Sequence, residues 1–138
     1  MPKGSAVPEV MDESIIRSHD PIQLFDKHRV NDTVERISEA VVCNAFRKFG
    51  LFVHLDSTLA PTTLQVKVQF LNRWDGQWYT YKQGPFAALF WEDGDTGSGI
   101  YECFVGECLG RAIRVTLTGV GTSSTAIFDV SVTLDLFN

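Results

Sequence analysis

The sequence predicts an all-β fold: an antiparallel β-sandwich or jelly-roll-like domain with an extended N-terminal arm. Three observations carry that expectation. Residues 111 to 138 hold two runs of strict apolar/polar alternation on either side of a Gly/Ser/Thr segment. Leu64, Val66, Val68 and Phe70 alternate with Gln65, Lys67 and Gln69 and lead into Asp75-Gly76 between aromatic residues, the signature of a hairpin. From residue 34 onward, short apolar runs recur between Gly, Pro, Asp, Ser and Thr turns, about seven or eight strands in all.

Size and charge set the limits. A chain of 138 residues suits one domain and is long enough to bury roughly 68% of the surface its unfolded form exposes. Lys plus Arg number 12 against 17 Asp plus Glu, with no long block of one sign, so nucleic acid is not an expected partner. No apolar run approaches the roughly 20 residues of a membrane helix. The opening MPKGSAVPEVMDES has a lone early Lys and no apolar middle, so no export signal is expected and the product should stay in the cytosol where it is made, or leave by cell lysis.

Residues 1–33 form the predicted arm. Pro2, Pro8 and Pro21 fall here, and Val7, Val10, Ile15, Ile16, Leu24 and Phe25 are scattered without strand alternation. Asp20-Pro21-Ile22-Gln23 combines an N-cap residue, a proline at the first helical position and a glutamine two residues after it, which predicts a helical turn or two through about His28. Fully extended at ~3.3 Å per residue, such an arm reaches on the order of 100 Å.

Residues 34–138 form the predicted sandwich. Val34 to Val42 suits a strand better than a helix, although Val34, Ile37 and Val41 also share a helical side. Leu51, Val53 and Leu55 alternate with Phe52, His54 and Asp56, placing His54 on the polar face. Strands are expected at 64–70, from Trp78, at 86–92 and at 99–105. Ile113, Val115 and Leu117 begin a closing hairpin, completed by Phe128, Val130, Val132, Leu134 and Leu136 as the core residues of the last strand.

Sites of chemistry are sparse. Cys43, Cys103 and Cys108 are an odd set without an export signal, so a disulfide framework is not expected and buried thiols are. A hairpin around Gly106 would bring Cys103 and Cys108 together, but zinc needs two more ligands and His19, His28 and His54 lack partner spacing. Asp93 and Asp95 open a calcium-like loop that fails at Gly97 and at Phe104, where a glutamate belongs. No G-x-S-x-G frames a serine. The expectation is therefore no enzyme, no metal and no cofactor. Trp74, Trp78, Tyr79, Tyr81, Phe86, Phe90 and Trp91 crowd together, which means core packing or, where exposed, a platform for a sugar or a protein.

LQVKVQFLNRWDGQWYTY (64–81) and GRAIRVTLTGVGTSSTAIFDVSVTLDL (110–136) give residues 34–138 a composition that resembles the small β-sandwich accessory proteins of tailed bacteriophages. These are the capsid decoration or cement proteins and related neck and tail components. The resemblance implies a non-enzymatic homotrimer or other symmetric oligomer on the capsid surface of a virion. It would clamp neighbouring copies of the major capsid protein, with its arm reaching over the shell. Partner-binding candidates are Ile15, Ile16, Leu24 and Phe25 in the arm, Trp74 and Trp78 at the turn, and Arg111 and Arg114 as charges near an edge. The alternative from another class is a carbohydrate-binding sandwich of a tail or host-recognition device, which requires Trp74, Trp78 or Trp91 to be exposed.

Overall fold

Among the described residues, ten strands make two antiparallel sheets: β1 (Ile22–Val30), β2 (Arg36–Ile37), β3 (Val41–Val42), β4 (Lys48–Ser57), β5 (Thr63–Leu71), β6 (Trp78–Thr80), β7 (Phe90–Glu92), β8 (Ile100–Glu107), β9 (Ala112–Val120) and β10 (Phe128–Phe137). They belong to a computed structural model that describes residues 20–57, 63–92, 99–120 and 128–138. The first sheet, A, runs β1-β10-β4-β8. The second, B, runs β2-β9-β5-β6, with β3 also beside β9 and β7 also beside β5. The short strands β2 and β3 follow one another along β9, and β6 and β7 along β5, so each pair acts as one interrupted strand. Counted that way, the chain passes from sheet to sheet at every step except β5 to β6, which is the order of a jelly roll.

The predicted closing hairpin is corrected by this topology. The strands β9 and β10 both exist with the expected inward residues, but β9 pairs with β5 in sheet B while β10 pairs with β4 in sheet A. Two alternating neighbours in sequence satisfy their apolar faces against each other across the core, and alternation alone does not distinguish that from lateral pairing.

The boundary of the arm is corrected as well. Residues 22–30 are neither arm nor helix but β1, paired to β10 from Ile22↔Leu134 to Val30↔Phe128. Two register shifts, between Gln23 and Phe25 and between Phe25 and His28, and a left-handed Lys27 at φ 49° hide the period of two from sequence inspection. Pairing to an otherwise open edge of β10 outweighs the local capping signal. The sandwich thus includes residues 22–33, and residues 1–19 lie outside the described residues.

The remaining elements follow their sequences closely. Between β2 and β3 the chain leaves β9, and Ser38 takes over the ladder. Its amide donates to the Val115 carbonyl and its Oγ accepts from the Val115 amide, both at 2.9 Å. The expected strand over 86–92 is shortened to Phe90–Glu92, because Gly84 at φ 56° and Pro85 start a 3-10 turn, Gly84–Ala88, that drives Phe86 into the core.

The core lies between the sheets. The sheet A residues Phe49, Leu51, Val53, Leu55, Phe128 and Leu134 face the sheet B residues Leu64, Val66, Val68, Ile113, Val115 and Leu117, all essentially without exposure. Each such side chain stabilises by about 1.5–3 kcal/mol. Phe49 reaches across the layers, its ring 5.8 Å from Phe70, 5.7 Å from Tyr81 and 5.4 Å from Phe86. Opposite it stands Gly106, where a Cβ would lie 2.5 Å from the Phe49 ring, so only glycine fits.

Candidate functional site

Three connections gather at one end of the sandwich: Cys43–Arg47, Asn72–Gln77 and Cys108–Arg111. They border a cleft of about 580 Å³ whose walls include Asn44, Phe46, Arg73, Tyr79, Leu109 and Arg111. That volume lies within the range of small-ligand sites. The middle connection is built by side chains. Asn72 Oδ1 accepts from the Trp74 amide at 2.7 Å, Asp75 Oδ1 accepts from the Gln77 amide at 2.9 Å, and Gly76 turns the chain at φ 70°. The Tyr79 hydroxyl donates to the second oxygen of Asp75. This bond, then the Gln77 amide, holds the Asp75 carboxyl below its ordinary range, and the same bond pushes the Tyr79 phenol up.

Beside this cleft Trp74 is 95% exposed. Trp78, the other flank of the turn, is half-buried on the outer face of sheet B with the Arg114 guanidinium 4.3 Å over its ring. Arg114 also donates to Gln69 at 2.9 Å. It sits on the central strand β9 rather than near an edge, which corrects the expected placement. Arg111 is exposed and lines the cleft. Trp91, at 5% exposure, is a core residue whose indole N–H donates to Glu102 at 2.8 Å, tying β7 to β8 across the sheets.

The four arm candidates divide. Phe25 is buried in the core and so is not available to a partner in the way predicted, Leu24 is half-buried against that core, and Ile15 and Ile16 lie outside the described residues. What sequence reasoning missed is the outer face of sheet A at its free edge. There β8 presents Tyr101, 80% exposed, and Val105, 62% exposed, with Cys103 between them and Phe52 beside it on β4. An unexpectedly apolar outward set, Tyr101, Cys103 and Val105, was the available signal in GIYECFV.

His54 lies on this same face, as expected, stacked on Tyr101 at 4.0 Å, donating from Nδ1 to the Ile100 carbonyl at 3.0 Å and facing Asp56 at 3.5 Å. Its ring is committed to structural contacts. The cysteines are rearranged relative to expectation. Cys103 is exposed on sheet A and apart from Cys108, which instead adjoins the buried Cys43. A thiol–thiol hydrogen bond eases ionisation of Cys43 and, with burial, pushes Cys108 up. Among the described residues, no group of three His, Cys, Asp or Glu is placed to hold a metal ion, and no helix is long and apolar enough to cross a membrane.

No family model matches the sequence, and a search of curated proteins returns no match. Solved structures do match in fold. A structure of infectious bursal disease virus, Gx strain, superposes with a TM-score of 0.63 at 14% identity, covering 87% of this chain and 31% of that one. The infectious bursal disease virus VP2 subviral particle gives 0.56 at 13% identity, covering 87% and 32%. A family 16 carbohydrate-binding module gives 0.46 at 13% identity, covering 74% and 70%, too loose a likeness to bear on function. The chain spans about a third of the length of the viral chains it matches. At these identities the shared property is the fold, an antiparallel jelly-roll sandwich.

Proposed function

We propose that this chain is a structural, non-enzymatic component of a virus particle. In this reading it decorates the outside of a bacteriophage capsid as a homotrimer or other symmetric oligomer, bridging neighbouring major capsid protein subunits. The observation that carries it is the β8 edge. Among the described residues no strand pairs with β8 on its outer side. The amide of Glu107 points away from β4, donating to the Tyr81 hydroxyl at 3.2 Å. By strand alternation, those of Tyr101, Cys103 and Val105 point the same way. Open backbone donors flanked by exposed apolar side chains are what a chain presents when its working state has a neighbour there. The jelly-roll likeness to the viral structures supports the same reading.

Light scattering and co-sedimentation test it together. The purified chain is expected to run as a symmetric oligomer and to pellet with the capsids of its virus. A monomer that pellets with neither capsids nor tails would sink the reading. Tyr101→Arg and Val105→Arg on the exposed face are expected to weaken assembly while leaving the fold intact.

One observation favours a second reading, carbohydrate binding: Trp74 stands almost wholly in solvent beside a cleft of ligand size. Loss of glycan-array binding in Trp74→Ala would support it, and flat arrays for the native chain would remove it.

A further inference from the structure

The cleft between the three connections has a charge that the molecule as a whole does not. The chain carries a formal net charge of −5, yet the cleft is lined by Arg73 and Arg111 and by no Asp or Glu. Neither guanidinium meets a carboxylate at ion-pair distance among the described residues. The nearest acid in sequence, Asp75, is turned to the Tyr79 hydroxyl and the Gln77 amide and is thereby drawn away from the arginines. Two other arginines are committed: Arg29 pairs with Asp129 at 3.3 Å and Arg36 with Asp32 at 3.0 Å. Two unpaired guanidinium groups facing one concavity form a site for an anion, and their planar forks suit a carboxylate held by two hydrogen bonds.

The rest of the lining sets the kind of anion. Asn44, Asn72 and Thr80 supply amide and hydroxyl groups, while Tyr79, Phe46 and Leu109 supply apolar wall. Trp74 follows the lining residue Arg73 in the chain, its amide donating to Asn72 Oδ1, and its aromatic face is free in solvent. Neutral hydrogen-bonding groups, aromatic faces and paired arginines in a volume of about 580 Å³ match a compact ligand that is polyhydroxylated on one side and carboxylated on another. We propose that this cleft binds a saccharide bearing a carboxylate, a sialic or uronic acid unit, with Arg73 and Arg111 on the carboxylate and Trp74 against a sugar face. The inference rests on the carbohydrate reading above and narrows it to acidic glycans.

Titration calorimetry with sialyllactose and with trigalacturonate, each beside its carboxyl methyl ester, tests the assignment on the intact chain. At least one acid is expected to bind, with its neutral ester weaker by roughly tenfold or more. Arg73→Gln and Arg111→Gln should each cost roughly tenfold in affinity. Arg29→Gln, on the opposite sheet, should leave binding unchanged and controls for overall charge. Equal binding of acid and ester, lost in Trp74→Ala, would overturn the acidic assignment while keeping carbohydrate binding. No binding by any saccharide, or binding of a poly-glutamate peptide in place of the acids, would overturn both. Capsid co-sedimentation is read separately and decides neither outcome.

Discussion

Sheet A is built from four long strands of 8 to 10 residues, whereas sheet B has two long central strands whose outer positions are filled by pieces of two or three residues. Both sheets bury one face against the other, so the difference is not in the core. It lies in who satisfies the backbone at the margins. In sheet A continuous ladders join β10 to β4 and β4 to β8, and the outer side of β8 is left open among the described residues. In sheet B side chains take over: Ser38 along β9, and Asn72, Asp75 and Tyr79 at the turn. Continuous ladders specify the fold, and interrupted ones leave room for connections that carry a cleft and an exposed tryptophan.

The comparison implies an order of mutational effects. Phe49→Ala strikes the contact shared by both sheets and is expected to cost about 3–5 kcal/mol, enough to unfold much of the population of a marginally stable domain. Urea denaturation checks it, and a loss below about 1 kcal/mol would show that the Phe70–Tyr81–Phe86 ring cluster holds without it. Next is Gly106→Ala, which places a Cβ against the same ring and should cost about 1–3 kcal/mol by overpacking. Pairing it with Phe49→Leu should restore part of the loss, the mark of a steric conflict rather than a backbone one.

Ser38→Ala tests the margin of sheet B alone. Without the hydroxyl, the Val115 amide loses its acceptor at a nearly closed position, an expected cost of about 1–3 kcal/mol. Hydrogen exchange should quicken at Val115 and its neighbours on β9 while the β4–β10 ladder stays protected. Equal acceleration in both sheets would erase the distinction between them.

How much of this was legible follows the same line. Sheet A's β4 and β10 and sheet B's β5 and β9 were readable residue by residue, because one buried face imposes a period of two. Phe128, Val130, Val132 and Leu134 are all fully buried as expected. β1 was hidden because two bulges break that period, so Leu24 and Phe25 read as scattered apolars. Partner choice was also hidden: which strand lies beside β9 depends on connections, not on alternation. On β9 itself the polar face misled, since Thr116 and Ala112 are buried by flanking strands on both sides. Of the site, Trp74 was legible as a residue of the Asp75-Gly76 turn and Arg111 as a charge near an edge, but the exposure of neither followed from alternation. The cleft was not, because it is assembled from three connections far apart in sequence.

The smallest expected effect tests whether the sheet B turn is truly held by side chains. Asp75 and Tyr79 are both at the surface, so their bond contributes little to global stability, but its pH limits are defined. The folded Asp75 carboxyl lies below its ordinary 3.8, so the bond is complete above that value and is lost only as pH falls through the depressed one. The Tyr79 phenol lies above its ordinary 10.0, so the bond persists below that value and is lost as pH rises through the raised one. The turn should therefore be uniform from about pH 4 to pH 10, with the Trp74 indole signal in NMR unchanged across that range and moving only beyond its ends. In Tyr79→Phe the Asp75 carboxyl should titrate closer to 3.8, though still below it, because the Gln77 amide remains. An Asp75 titration unchanged by that substitution would mean the backbone alone holds the turn, and the contrast between the two sheets would fail at the place where it meets the cleft.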